Sequence, residues 1–101
     1  MIRDVTDDQL IKAIARRDEQ ALSLLYDRYA AEILRVAHRL VGERNAAEAV
    51  LQEVFWQVWR QARGIGRGKT AVSTWLFKTA RQLALQQRSS PIAVSASANF
   101  F

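Results

Sequence analysis

The stretch Asn45-Ala46-Ala47-Glu48-Ala49-Val50-Leu51-Gln52-Glu53-Val54-Phe55-Trp56-Gln57-Val58-Trp59-Arg60-Gln61-Ala62 decides the fold. Ala47, Val50, Leu51, Val54, Phe55, Val58 and Ala62 recur at helical spacing and fall within roughly 140° of a helical wheel. A stripe of that width has to be covered by other helices. Asn45, with Glu48 three positions on, supplies an opening cap. Next comes Gly64-Ile65-Gly66-Arg67-Gly68-Lys69, too rich in glycine for a helix and expected to be a flexible basic loop.

Working outward, three more helices read from the sequence. Thr6-Asp7-Asp8-Gln9 has the form of a capping box, and Leu10, Ile11, Ile14 and Ala15 form the apolar stripe behind it, closed by Arg16 and Arg17. Asp18 caps a longer helix running to about Leu40, with Ala21, Leu22, Leu25, Tyr29, Ile33, Val36, Ala37 and Leu40 inward and Gly42 as its stop. Downstream of the loop a helix is expected from Ala71 or Ser73 to Gln87, burying Val72, Leu76, Ala80 and Leu83. Nothing alternates with period two over a useful length. The expectation is therefore all-α: a compact bundle of about four helices over residues 1–88, without a sheet. Residues 89–101 are small, polar and uncharged, with Ile92, Val94, Phe100 and Phe101 among them, and are expected to be a flexible tail or linker stub.

Composition narrows the chemistry. With 101 residues the chain fits one domain, and without cysteine it has no disulfide, thiolate metal site or cysteine nucleophile. His38 is the single histidine, so an imidazole metal centre is not expected, and no paired carboxylates or nucleophile–base set stands out. No cofactor, metal or catalysis is expected. The N-terminus is too charged for a signal peptide and no long apolar run occurs, so a cytoplasmic chain without membrane insertion is expected.

Charge is divided unevenly. Residues 1–53 carry all ten acids against eight bases, whereas residues 54–101 carry seven bases and no acid. A one-sided field of that kind attracts polyanions, nucleic acid foremost. Arg63, Arg67 and Lys69 can lie along a nucleic-acid backbone, while Lys78, Arg81 and Arg88 project from the last helix with Gln82 and Gln86 between them, cations for phosphates and amides for base edges. Trp75 and Phe77 stand beside these cations, either as a stacking platform for unpaired bases or as a seal on the bundle. Gly64 to Thr70 ends like a nucleotide-binding loop, but it lacks the spacing and the preceding strand of a P-loop. On the opposite side of the third helix from its stripe lie Gln52, Trp56, Arg60 and Arg63. Trp56, an amphipathic aromatic among polar groups, has the character of a protein–protein hot spot, whereas Trp59 is expected to pack inward.

In order along the chain, Ala15-Arg16-Arg17-Asp18-Glu19-Gln20-Ala21-Leu22, Leu24-Leu25-Tyr26-Asp27-Arg28-Tyr29, Ala47 to Arg60 and Ser73-Thr74-Trp75-Leu76-Phe77-Lys78-Thr79-Ala80-Arg81 resemble region 2 of bacterial RNA polymerase sigma factors, closest to the extracytoplasmic-function group. The resemblance covers roughly residues 7–88. It implies that the third helix docks on the clamp helices of the polymerase β′ subunit through Glu48, Gln52, Glu53 and Trp56, with Arg60 on the same face. It further implies that the loop and last helix recognise and melt the −10 promoter element, holding flipped bases of the non-template strand. That role maps onto Arg63, Arg67, Lys69, Thr70, Ser73, Lys78, Arg81, Gln82 and Gln86. An anti-sigma factor is a further candidate partner, and a module that binds polymerase or anti-sigma factor without promoter recognition is the alternative. The chain departs from the family at Ala46 and Ala49, where acids are usual, at Gly66, where an aromatic is common, and at Lys69, where an acid is frequent. It stops where a linker would lead to region 4, so region 4 is expected to be absent.

Overall fold

In the computed structural model, residues 5–88 are described, and they form four helices: α1 Asp7–Ala15, α2 Glu19–Val41, α3 Arg44–Arg67 and α4 Val72–Arg88. Among the described residues there is no strand, as expected, and no helix is long and apolar enough to cross a membrane. The tail expected over 89–101 lies outside the described residues.

The first two helix starts are those the sequence implies. Thr6 Oγ1 accepts from the Gln9 backbone N–H at 3.1 Å while Gln9 Oε1 accepts from the Thr6 N–H at 2.9 Å, a reciprocal cap on α1. Asp18 accepts from the N–H groups of Gln20 and Ala21 and opens α2. Gly42 closes α2 in the left-handed conformation, φ 75°, its N–H donating to the His38 carbonyl.

Two boundaries differ from expectation. The cap of α3 is Glu43 rather than Asn45: its carboxylate accepts from the Asn45 and Ala46 N–H groups, both at 2.9 Å. Ala46 and Ala47 are both buried, so the helix must already exist there, and its first turn begins at Arg44. At the other end α3 does not stop near Ala62 but continues through the glycines to Arg67. Helical glycine costs about 1 kcal/mol relative to alanine. Here Ile65 extends the apolar stripe into the core, and Gly66 lets α1 approach so closely that a Cβ on it would sit 3.2 Å from Ile11 Cγ2. Burial of Ile65 and that close packing outweigh the propensity. The non-helical connection to α4 shrinks to residues 68–71.

The core is a single cluster in which Ile11 and Ile14 of α1, Leu25 and Ile33 of α2, Val50, Val54 and Val58 of α3 and Leu76 of α4 are fully buried. Of the α2 residues expected inward, Ala21, Leu25, Ile33 and Ala37 are buried, while Leu22, Tyr29, Val36 and Leu40 are half-buried. On α4, Val72, Leu76 and Ala80 are buried as expected, Ala84 joins them, and Leu83 is half-buried.

Candidate nucleic-acid and partner interfaces

Two surfaces of unlike chemistry emerge from this packing. The first lies where α2 and α3 leave an open groove of about 640 Å³, lined by Leu22, Tyr26, Gln52, Phe55, Trp56 and Trp59 among others. Trp56 is 45 % exposed and Tyr26 38 %, two of three large hydrophobic side chains in the described chain that stand out in this way. The Arg60 guanidinium lies 5.6 Å from the centre of the Trp56 ring and also donates to Glu53 Oε2 at 3.2 Å. Gln57 donates to the same carboxylate oxygen at 3.3 Å. Trp56 is therefore flanked by a fixed cation and a fixed anion. Glu48 pairs with Arg44 one turn back at 3.0 Å, on the run of α3 that leads to Gln52.

Trp59 is half-buried against the core, close to the inward position expected of it. Its outer face is covered by Arg17, whose guanidinium lies 4.8 Å from the ring centre and donates to the Trp59 carbonyl at 2.6 Å. Ala46 and Ala49, where the resemblance leads one to expect acids, are buried, so those departures fall inside the bundle.

Sequence reasoning missed the α2 wall of the groove. Tyr26 lies outside the stripe assigned to α2, and only the edge-on contact of its ring with Phe55, 5.0 Å between centroids, ties it to the Trp56 face. A tyrosine one turn beyond Leu22 was the available signal.

The second surface is basic. Arg63, Arg67, Lys69 and Thr70 are exposed at the end of α3 and in the short connection, and Lys78, Arg81 and Gln82 are exposed on α4. At 3.6 residues per turn those three α4 side chains share about 100° of arc. Gln86 is exposed at the margin of that face, whereas Ser73 is half-buried in the first turn of α4, on the side of the buried Ala80 and Ala84. No ion pair joins Arg63, Arg67, Lys69, Lys78 or Arg81 to an acid among the described residues. Because α3 continues to Arg67, Arg63 and Arg67 are carried one turn apart by a helix rather than by a loop. Trp75 and Phe77 are half-buried and pack on the core, Phe77 edge-on to Tyr29 at 6.1 Å, which favours the sealing role over a free stacking platform. Among the described residues no cluster of side chains could hold a metal ion.

The sequence matches the family model for sigma-70 region 2 over residues 25–90. The chain belongs to the sigma-70 region 2 family. Among curated proteins, this region 2 chain is 30 % identical over 88 residues to an extracytoplasmic-function RNA polymerase sigma factor, SigK, of Mycolicibacterium vanbaalenii. It is 32 % identical over 80 residues to the extracytoplasmic-function sigma factor SigL of Mycobacterium tuberculosis and 36 % over 80 residues to the RNA polymerase sigma-H factor of Pseudomonas aeruginosa. These alignments take in 87 %, 79 % and 79 % of the region 2 chain and 45 %, 45 % and 41 % of the relatives, so it spans a little under half of their length. No solved structure matches it significantly.

Proposed function

We propose that this chain is the region 2 module of an alternative sigma factor and serves transcription initiation by joining core RNA polymerase to the −10 element of a promoter. The observation that carries the proposal is the separation of two surfaces on one bundle: an exposed Trp56 over an apolar groove, and a set of cations at the end of α3 and along α4 with no acidic partner among the described residues. Glu48, Gln52, Glu53, Trp56 and Arg60 meet the β′ clamp helices. An aromatic over a groove, rimmed by charge, is the composition of a binding hot spot. Arg63, Arg67, Lys69, Lys78 and Arg81 take phosphates, and Thr70, Ser73, Gln82 and Gln86 contact base edges and flipped bases of the non-template strand.

The mechanism is binding rather than chemistry. Unstacking a base costs a few kcal/mol, and phosphate contacts together with capture of the extruded base offset it. Polymerase supplies catalysis.

Co-purification with core polymerase and fluorescence titration with single-stranded −10-type DNA, at stated salt, test the two halves separately. Trp56→Ala is expected to weaken polymerase binding by roughly thirtyfold, about 2 kcal/mol for a hot-spot aromatic, and to leave DNA affinity unchanged. Arg67→Ala with Lys69→Ala is expected to do the reverse. Equal loss of both activities in either variant refutes the division of faces. Polymerase binding without any preference for −10-type DNA leaves only an interaction module.

A further inference from the structure

The charge count along the chain assigns no role to the bases of its first half, yet three of them fold onto the basic end of α3. Helix α1 runs antiparallel to the last turns of α3, held close by the contact of Ile11 with Gly66. Along that seam Lys12 and Arg16 of α1 line one small cleft with Arg63 and Arg67 of α3, about 280 Å³ in volume. A second cleft of about 270 Å³ beside it is lined by Arg17, Arg60 and Arg63. Arg60 is partly neutralised by Glu53, and Arg17 is held against Trp59. Lys12, Arg16, Arg63 and Arg67 have no acidic partner among the described residues, and all four are exposed. These four cations from two elements, spaced a helical turn apart on each, make a concentrated positive field that attracts a polyanion.

The α1–α2 turn has a strained residue beside this seam. Arg17 adopts φ 69°, a left-handed conformation that is unfavourable for a residue with a Cβ. Its guanidinium bond to the Trp59 carbonyl fixes the end of α1 on α3.

We propose that the α1–α3 seam is a second phosphodiester-binding surface, with Lys12 and Arg16 joining Arg63 and Arg67 to grip the backbone of the DNA strand that flanks the −10 segment. It rests on the proposal that this region 2 chain binds promoter DNA, and it extends the contact beyond α4 to a helix with no part in −10 recognition. The seam reads no bases. Its contribution is to affinity and salt dependence alone.

The test uses the full chain and two fluorescent single-stranded oligonucleotides: a short −10-type strand, and the same strand with flanks of about ten nucleotides, within the site size of a single-strand groove. Affinity is measured against salt concentration. Lys12→Ala with Arg16→Ala removes two phosphate contacts, so the log–log salt slope on the flanked strand is expected to become shallower by about 1.4, at about 0.7 per neutralised phosphate on single strands. The short strand is expected to show no change. Arg35→Ala with Arg39→Ala removes the same net charge from the exposed side of α2, away from the seam, and is expected to leave both slopes in place. An unchanged slope in the α1 variant, or an equal drop in the α2 variant, overturns the proposal. So does failure of the wild-type chain to bind either strand at low salt. If the wild type binds without preferring −10-type over scrambled sequence while the α1 variant still loses slope, −10 recognition fails and the seam stands.

Discussion

Tyr29 shows how much a single side chain ties together. Its hydroxyl donates to Asp7, which also pairs with Arg28 at 2.8 Å, while Arg28 donates to the Val5 carbonyl, so the start of α1 is fastened to the middle of α2. Burial, then the hydrogen bond to Asp7 and its charge, push the Tyr29 phenol up to about 12. A group whose pKa is raised on folding stabilises the folded state below its unfolded value, here near 10, and that stability is lost as pH rises toward 12. Thermal melts of the wild type are expected to decline across that window more steeply than those of Tyr29→Phe. Parallel declines in the two proteins refute the assignment. At this scale the sequence was partly legible. The polar setting of Trp56 on its helical wheel announced its exposure, whereas the Tyr29–Asp7 bond spans 22 positions and left no local trace.

Helix α3 is the element in which local preference and tertiary packing disagree most. Its glycines argue for a loop, and the burial of Ile65 overrules them. A Cβ on Gly64 meets nothing, so Gly64→Ala is expected to stabilise by about 0.5 to 1 kcal/mol through helix propensity. Gly66→Ala carries the same propensity gain but presses on fully buried Ile11, and is expected to stabilise less or to destabilise. Comparing the two midpoints in urea checks this; equal gains contradict the close approach of α1. At the opposite end, Glu43→Ala is expected to cost about 1 kcal/mol as a lost cap, a fall of roughly 4–8 °C in a domain of this size. Asn45→Ala, which removes no cap, is expected to change the melting temperature far less. The Asn45–Glu48 spacing pointed to the wrong residue because capping depends on where the helix must begin, and the buried pair Ala46 and Ala47 sets that.

Across the whole molecule the four helices share one apolar centre, with α2 packed against each of the others. Leu76 is fully buried there, and Leu76→Ala is expected to cost about 2–5 kcal/mol. Against a total of about 5–15 kcal/mol for a domain, that is a large share, visible as a shifted denaturant midpoint. A loss confined to α4, with α1–α3 melting at the wild-type midpoint, contradicts the single core. The same packing redistributes charge. By sequence the basic half begins after Glu53, but in space Lys12 and Arg16 stand beside Arg63 and Arg67.

Periodicity, two caps and one terminal glycine were enough to determine four helices, most of their inward faces and the absence of a sheet among the described residues, because those signals act within a few residues. The relative placement of the helices was another matter: the α2 wall of the Trp56 groove, the persistence of α3 through Gly64 and Gly66, and the joining of α1 cations to those of α3 were decided only by tertiary structure. Each depends on contacts between residues far apart in the chain, whose burial can outweigh about 1 kcal/mol of local preference and whose geometry no single segment encodes.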